Sequence, residues 1–481
     1  MSPARSIFSL AEMNYEEAVQ MLLALGKELA APRQAHVQKF DLENIRVLSD
    51  YLGAPHRAVP SAHIAGTNGK GSTAAMLESI MRTAGYSTGL FISPHLERIN
   101  ERIQFNGEPI SDEEFAAEFA AVQSAIETLL ASGQLAAHPT FFECVTAMAF
   151  AAFARRPVDF AVYEVGMGGR LDSTNILDPQ VSVITQVDMD HENFLGHSIT
   201  EIAAEKAGII KPGGWVVSSA ERPEARAVIA RRAAELNARL VEIDSAWRVE
   251  MASDANGYYT VTGTPSNSGK SLTLELLLPG RFQVRNALAA ATAARMLAAR
   301  GFLISDEAIT QGIRDVRWPG RLERLADEPL VYIDGAHNPS AAHELAAFWQ
   351  AHLAGRRIWL VYGAMRDKAV DEIAGLLFPL AYEVIFTEPS QGRSISAPLL
   401  AEMTSHLARR HQVVSDPAAA FDLAISSARP SDAVFVTGSL YLVGALREHA
   451  KSCSKMNDPN TSASVRKSSS LPLFRMNCFK E

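Results

Sequence analysis

The stretch His63-Ile64-Ala65-Gly66-Thr67-Asn68-Gly69-Lys70-Gly71-Ser72-Thr73 has the composition of a phosphate cradle. Glycines at 66, 69 and 71 let a backbone curl around an anion, because only glycine takes a positive φ without steric cost. Successive N–H groups then converge on phosphate oxygens, and Lys70 adds a point charge for the β and γ phosphates. Ser72 and Thr73 open a helical pattern that runs to about Ala84 and stops at Gly85. Their hydroxyls and the positive end of the helix dipole therefore face one place. The general nucleotide pattern G-x-x-x-x-G-K-[ST] puts the hydroxyl residue directly after the lysine, and here Gly71 intervenes. Taken alone, the stretch reads equally as a solvated glycine turn.

Ser93, Glu164 and His191 join Ser72 at or just after the carboxyl ends of apolar, strand-like runs, where open α/β sheets hold ligands. Glu164, closing Val162-Tyr163-Glu164, is placed to hold Mg²⁺, which prefers hard oxygen ligands and nucleotide phosphates. A single strand-end carboxylate is more often solvated; beside a phosphate loop it becomes a ligand candidate. His191 is a less usual magnesium ligand and by itself reads as a hydrogen-bonded cleft or core histidine. Lys206 lies among Ile202, Ala203, Ala204 and Ala207, a partly apolar setting that favours its neutral form; the plain alternative is a surface pair with Glu205. Gly166-Met167-Gly168-Gly169 lacks the G-x-G-x-x-G spacing, so nicotinamide binding is rejected. Tyr362 to Lys368 reads as a turn after a strand.

These residues need a scaffold. At 481 residues the chain exceeds what one core serves, so two or three domains are expected. Hydrophobic residues make up 47% and charged residues 21%, an ordinary globular balance. The net charge is −9, and the body before Lys451 carries −13, which argues against nucleic acid or an anionic membrane as partner. Cys144, Cys453 and Cys478 form neither a C-x-x-C pair nor a metal spacing, so a reducing cytoplasm is the expected location. Glu12, Glu16 and Glu17 precede any long apolar run, unlike a secretion signal. The longest apolar run, Cys144 to Ala154, is too short to span a bilayer and reads as a buried helix.

Helical spacing covers Asn14 to Leu25, with Asn14 as cap, Glu17 three residues on and Gly26 beyond the end. A second helix opens at Phe40-Asp41-Leu42-Glu43-Asn44-Ile45 and stops near Gly53. Strands are expected at Ser87–Ile92, Val158–Val165, Val181–Val187 and Trp215–Ser219, and helices within 112–153 on either side of His138-Pro139, at Ile199–Ile210 and at Gln283–Arg300. Arg248 to Leu278 suggests hairpins. Strand, crossover and strand at these lengths describe an α/β nucleotide-binding domain with a parallel sheet. Trp318-Pro319-Gly320-Arg321 marks the boundary to a smaller parallel α/β unit with strands at 330–333, 358–361, 384–387 and 433–436. The Ser-rich stretch 451–481 reads as a disordered tail.

Thr67-Asn68-Gly69-Lys70-Gly71-Ser72, Ser93-Pro94-His95-Leu96, Glu164 to Asp172, Asp190-His191, Glu205-Lys206-Ala207-Gly208 and Asp334-Gly335-Ala336-His337-Asn338-Pro339 together resemble the folylpolyglutamate synthases, more narrowly the bacterial bifunctional dihydrofolate synthase/folylpolyglutamate synthases of the Mur ligase superfamily. The likeness runs in unbroken motif order from about Asn14 to Leu446, and Gly71 fits this family's loop. It implies an α/β, Mur ligase architecture: an N-terminal P-loop ATPase domain (1–318), a smaller C-terminal Rossmann-like glutamate ligase domain (319–450) and the tail (451–481). It implies ATP as co-substrate, bound by Gly69, Lys70, Gly71, Ser72, Asn286, Arg321 and Asp334. Ser93, Glu164 and His191 would ligate Mg²⁺, and a carbamylated Lys206 would supply oxygens for a second ion. Lys70, Lys206 and His337 are its catalytic residues, and His337, Ser439 and Tyr441 lie near the incoming glutamate. Asp41, Leu42, Thr140, Phe141, Phe142, Glu143, Leu171, Asp172 and Ser173 correspond to the pterin and dihydropteroate pocket, although residue 43 is Glu where that family pattern has glycine.

The activity so implied is ATP-dependent ligation of L-glutamate to dihydropteroate and to tetrahydrofolate and its polyglutamates through an acyl phosphate, by a cytoplasmic monomer. Two rivals share the phosphate loop: a Mur-type ligase acting on a cell-wall precursor, and a non-ligating ATP-binding regulator.

Overall fold

In the computed structural model, residues 13–25, 41–266 and 270–456 are described. They form two compact units. The first comprises the described residues within Met1–Glu250, Val261–Glu275 and Arg285–Val316; the second comprises those within Met251–Thr260, Leu276–Val284 and Arg317–Glu481.

The first unit is built on an eight-stranded sheet of β1 (Ser61–Ala65), β2 (Thr88–Phe91), β3 (Ile103–Phe105), β4 (Glu108–Pro109), β5 (Phe160–Glu164), β6 (Val181–Ile184), β7 (Trp215–Ser218) and β8 (Arg239–Glu242). Their order is β4-β3-β2-β5-β1-β6-β7-β8, parallel from β2 to β8 with β3 and β4 folded back antiparallel at one edge. β1, β2, β5 and β6 are buried along their whole length, as continuous apolar runs covered on both faces must be. On one face Phe91, Ala161 and Tyr163 pack with Asp112–Ala131 and Phe141–Arg155, and further along the same face Ala65, Ile184 and Val216 pack with Ile199–Ala207 and Pro223–Glu235. Helix Lys70–Thr83 lies against β1, β2 and β5 and is joined by Asp306–Asp315. Phe141–Arg155 is apolar all round and buried from Glu143 to Phe153, as a helix without a polar face should be. Its start is fixed by a capping box between Thr140 and Glu143.

Local signals placed most elements. Helix Tyr15–Ala24 begins at Asn14, whose side chain accepts from the Glu17 N–H at 2.9 Å; Gly26 and Phe40 lie outside the described residues. β6 is shorter than expected, because Thr185 and Gln186 leave the ladder to hold the phosphate loop. The β3–β4 hairpin went unread, although Asn106-Gly107, at φ of +52° and +81°, is the turn signal such a hairpin uses.

Strands β9 (Trp247–Ser253), β10 (Tyr259–Pro265) and β11 (Leu272–Leu276) form a small sheet in the order β11-β10-β9. The second unit holds β12 (Glu323–Asp327), β13 (Leu330–Ile333), β14 (Ile358–Tyr362), β15 (Glu383–Phe386), β16 (His411–Val413) and β17 (Ala433–Thr437). Their order is β12-β13-β17-β14-β15-β16, parallel except for β12. Short β12 and β16 sit at the edges, which is why neither stood out as an apolar run. The last helix, Leu440–Met456, includes the first residues assigned to the tail; 457–481 lie outside the described residues.

Candidate active site

The phosphate loop leaves the carboxyl end of β1, near the middle of the sheet. Gly66 has φ +157°, and a Cβ there would fall 1.8 Å from Thr185 Oγ1. Gly69, at φ +85°, caps helix Lys70–Thr83, and a Cβ there would fall 2.3 Å from Asn286 Oδ1. Gly71 lies inside the first helical turn, so two of the three glycines are required by backbone conformation and close approach. The Thr67 hydroxyl donates to Asp188 O at 2.9 Å and accepts from the Asp188 N–H at 3.0 Å, and the Thr185 hydroxyl donates to Asn68 O at 2.7 Å. The loop is therefore held from the β6 side.

Two lysines meet on this loop. Lys70 Nζ donates to Gly66 O at 3.1 Å and to Thr67 O at 3.2 Å, and Lys206 Nζ reaches the same Gly66 O at 2.8 Å. Lys206 is buried, and burial first, then the Lys70 charge, pull its pKa down to about 7, with Asp190 and Glu205 opposing. The surface pair with Glu205 does not form. Glu205 takes Arg170 at 2.8 Å instead.

Glu164 is buried at the end of β5, and its Oε2 accepts from the Ser93 N–H at 3.1 Å. Ser93 Oγ is buried with no hydrogen-bond partner. A buried hydroxyl oxygen beside a carboxylate at a phosphate loop is a donor set that fits Mg²⁺, which takes one or two protein oxygens and completes its shell with phosphate and water. Among the described residues no three His, Cys, Asp or Glu side chains gather into a cage. His191 has a left-handed backbone, φ +50°, its N–H bonded to Asp190 Oδ1 at 2.9 Å and its Nε2 3.7 Å from Asp190 Oδ2.

Several expected substrate residues gather beside this strand end. A Cβ on Gly166 would fall 2.5 Å from the Phe142 ring, which also lies 5.9 Å from Phe91. Phe141 lies under the Arg102 guanidinium, 5.3 Å from its centroid, and Arg102 Nε donates to His95 Nδ1 at 2.9 Å. Glu143 accepts from the Thr140 N–H and hydroxyl at 2.7 and 2.8 Å; burial raises its pKa, and nearby Asp41 adds to the rise. Asp41 Oδ1 accepts the Glu43 N–H at 3.0 Å, and Leu42 is buried. The Glu43 side chain points outward from the first turn of Glu43–Tyr51, so the position tolerates a side chain and suits an acid. Asp172 is fully buried between half-buried Leu171 and Ser173, its carboxylate taken by N–H groups of Gly166, Met167 and Thr174 and by the Thr174 hydroxyl. Asp172 thus organises a turn.

In the second unit the expected residues meet where β13 and β17 end. Asp334 accepts from the N–H groups of Leu322 and Ala336 at 2.8 and 2.9 Å; burial raises its pKa and Arg321 draws it down. Leu322 has φ +45°, a conformation rare for a leucine, and Gly335 N–H donates to Gly320 O at 2.9 Å. His337 Nδ1 lies 2.7 Å from Gly335 O, and buried Ser439 Oγ accepts the Tyr441 N–H at 3.2 Å. Sequence reasoning missed Thr185 and Arg102. Thr185 had no signal, and Arg102 was one charge among several in the polar stretch Glu97 to Gln104.

No helix among the described residues is long and apolar enough to cross a membrane. Residues 64–294 match the Mur ligase middle domain and 320–440 the Mur ligase glutamate ligase domain. The chain is 36% identical over 416 residues to the dihydrofolate synthase/folylpolyglutamate synthase of Bacillus subtilis, covering 85% of this chain and 95% of the relative. It is similar to the crystal structure of folylpolyglutamate synthase from Thermotoga maritima, with a TM-score of 0.77 and 33% identity over 91% of this chain and 96% of that one. It also resembles E. coli FolC in complex with DHPP and ADP, with a TM-score of 0.81 and 29% identity over 92% and 99% of the two chains.

Proposed function

The chain belongs to the dihydrofolate synthase/folylpolyglutamate synthase family of Mur ligases, ATP-dependent enzymes that ligate glutamate in folate metabolism, and we propose that it joins L-glutamate to dihydropteroate and to tetrahydrofolate and its polyglutamates. The observation that carries the reading for this chain is the pair Lys70 and Lys206 on Gly66 O, in a loop whose Gly66 and Gly69 leave no room for a Cβ.

Transfer of the γ-phosphoryl group from ATP to the substrate carboxylate gives an acyl phosphate and ADP. The glutamate amine then attacks the acyl carbon, an amide forms and phosphate leaves. Two anions must approach in the first step, so the site has to supply positive charge. Lys70 supplies it at the β and γ phosphates, and the backbone of Gly69 to Ser72 orients them; Asn286, Arg321 and Asp334 are assigned to the nucleotide as well. Ser93, Glu164 and His191 would hold one Mg²⁺ and a carbamate on Lys206 a second; when bound, these ions neutralise phosphate charge. The Lys206 amine, neutral for about half the molecules near pH 7, is suited to take up CO₂. Phe141, Phe142 and Leu42 offer apolar surface to the pteridine acid, while Asp41, Thr140, Glu143 and Asp172 shape its edges. His337, Ser439 and Tyr441 are assigned to glutamate. Residues 1–318 are the ATP-binding domain and 319–450 the glutamate ligase domain of a cytoplasmic monomer.

A coupled ADP assay tests this. Release should require L-glutamate together with dihydropteroate or tetrahydrofolate. Release with a cell-wall precursor instead, or slow release without any acceptor, would replace the proposal with one of its rivals.

A further inference from the structure

We propose that His63 is a positioning residue: its imidazole, acting through the Thr174 hydroxyl and the Asp172 carboxylate, ties the strand that carries the phosphate loop to the turn that follows Glu164. His63 is wholly buried in β1, three residues before Gly66, and its Nε2 lies 2.8 Å from Thr174 Oγ1. Thr174 is equally buried and Oγ1 is 2.5 Å from Asp172 Oδ1. Its only proton goes to the carboxylate, because an ionised Asp172 can only accept. His63 Nε2 must then carry the hydrogen, which leaves Nδ1 as the bare nitrogen, buried and without a partner.

The far end of this relay is the turn itself. Asp172 gathers the N–H groups of Gly166 and Met167, and Gly166 is the residue on which Phe142 rests. β1 and β5 are neighbours, with His63 beside Tyr163 and Ile64 beside Glu164. The relay therefore adds a side-chain link to the ladder and steadies the Gly166 turn that backs Phe142, so loosening it is felt in binding of the acceptor acid rather than of the nucleotide. The inference rests on the ligase reading above for its kinetic consequence, and on hydrogen bonds alone for its structural one.

The test compares Thr174→Val and His63→Leu, which break the relay, with Thr174→Ser and His63→Gln, which keep a donor or acceptor at the same place. In the breaking pair the KM for dihydropteroate should rise about tenfold while the KM for ATP stays within about twofold, and the conservative pair should recover most of the difference. A fall in kcat with both KM values unchanged, or equal loss in all four variants, would show plain structural damage and overturn the proposal. Hydrogen exchange on the full chain without substrates gives a second readout. Residues 166–175 should exchange about tenfold faster in Thr174→Val while 70–83 do not change, and uniform or absent change overturns the relay. If the unmutated chain releases no ADP with dihydropteroate and glutamate, the functional reading fails, and exchange still decides the relay. Should His63→Leu not fold, the Thr174 pair alone suffices.

Discussion

Lys70 and Lys206 share one acceptor yet have different tasks, and their substitution should separate them. Lys70→Ala should abolish ATP-dependent ligation with the melting temperature nearly unchanged, since Lys70 is only partly buried and its two bonds go to loop carbonyls; near-normal turnover would remove the loop from the chemistry. For Lys206 the pH dependence has a definite sign. Its folded pKa, about 7, lies below the ordinary lysine value, so the neutral amine grows from about a tenth at pH 6 to about nine tenths at pH 8. Incorporation of ¹³C-labelled CO₂, followed by NMR, should rise across that interval and vanish in Lys206→Ala. Residue types in motifs were legible in advance, because glycines, lysines and strand-end carboxylates announce phosphate chemistry wherever they fall. Partners were not: that Glu205 would choose Arg170, or that Asp172 would spend its oxygens on its own turn, depends on how loops far apart in sequence meet.

Among elements, glycines at turns divide into two kinds. Gly66 and Gly85 both have positive φ, but a Cβ on Gly66 meets Thr185 whereas nothing lies within 4 Å of Gly85. Gly66→Ala should therefore lose more than about tenfold in kcat/KM for ATP, since the loop must move to admit the methyl group. Gly85→Ala should leave kinetics alone and lower stability by about 1 kcal/mol, the strain of a left-handed alanine. Steady-state kinetics and denaturant unfolding distinguish the two. Long elements with strong periodicity, such as 112–131 and 141–155, could be read from the chain, and the central parallel strands were evident as apolar runs. The short strands β3, β4, β12 and β16 were not. A strand of two to five residues has too few positions to show a period, and its existence depends on the neighbour it pairs with.

For the molecule as a whole, buried histidines set how it answers acid. His63 and His95 are held near pKa 3, His63 by burial and then the Lys211 charge, His95 by burial and then Arg102. Their folded values lie below the ordinary 6.5, so between about pH 3 and 6.5 the unfolded chain binds more protons than the folded one. The histidine contribution is then complete above about pH 6.5 and falls as pH is lowered, towards about 1.4 kcal/mol per pH unit for each histidine well below 6.5. Urea unfolding at pH 7, 6 and 5 should show the fall, and His63→Gln should lessen it. Saturating ADP, at a hundred times its Kd, should add about 2.7 kcal/mol at any one pH.

The second unit borrows Met251–Thr260 and Leu276–Val284 from the middle of the chain. Gly257 sits where a Cβ would be 2.4 Å from the Phe348 ring, and Arg324 reaches Asn256 at 3.2 Å. On a ribosome these two stretches emerge well before β17, which completes the centre of the second unit's six-stranded sheet. At roughly 5–20 residues per second the nascent polypeptide carries them for about 10–30 s without the surface they are made for. A gene cut once, between the two units, would strand both stretches on the wrong fragment, so the halves of this enzyme have to be translated, and inherited, as one.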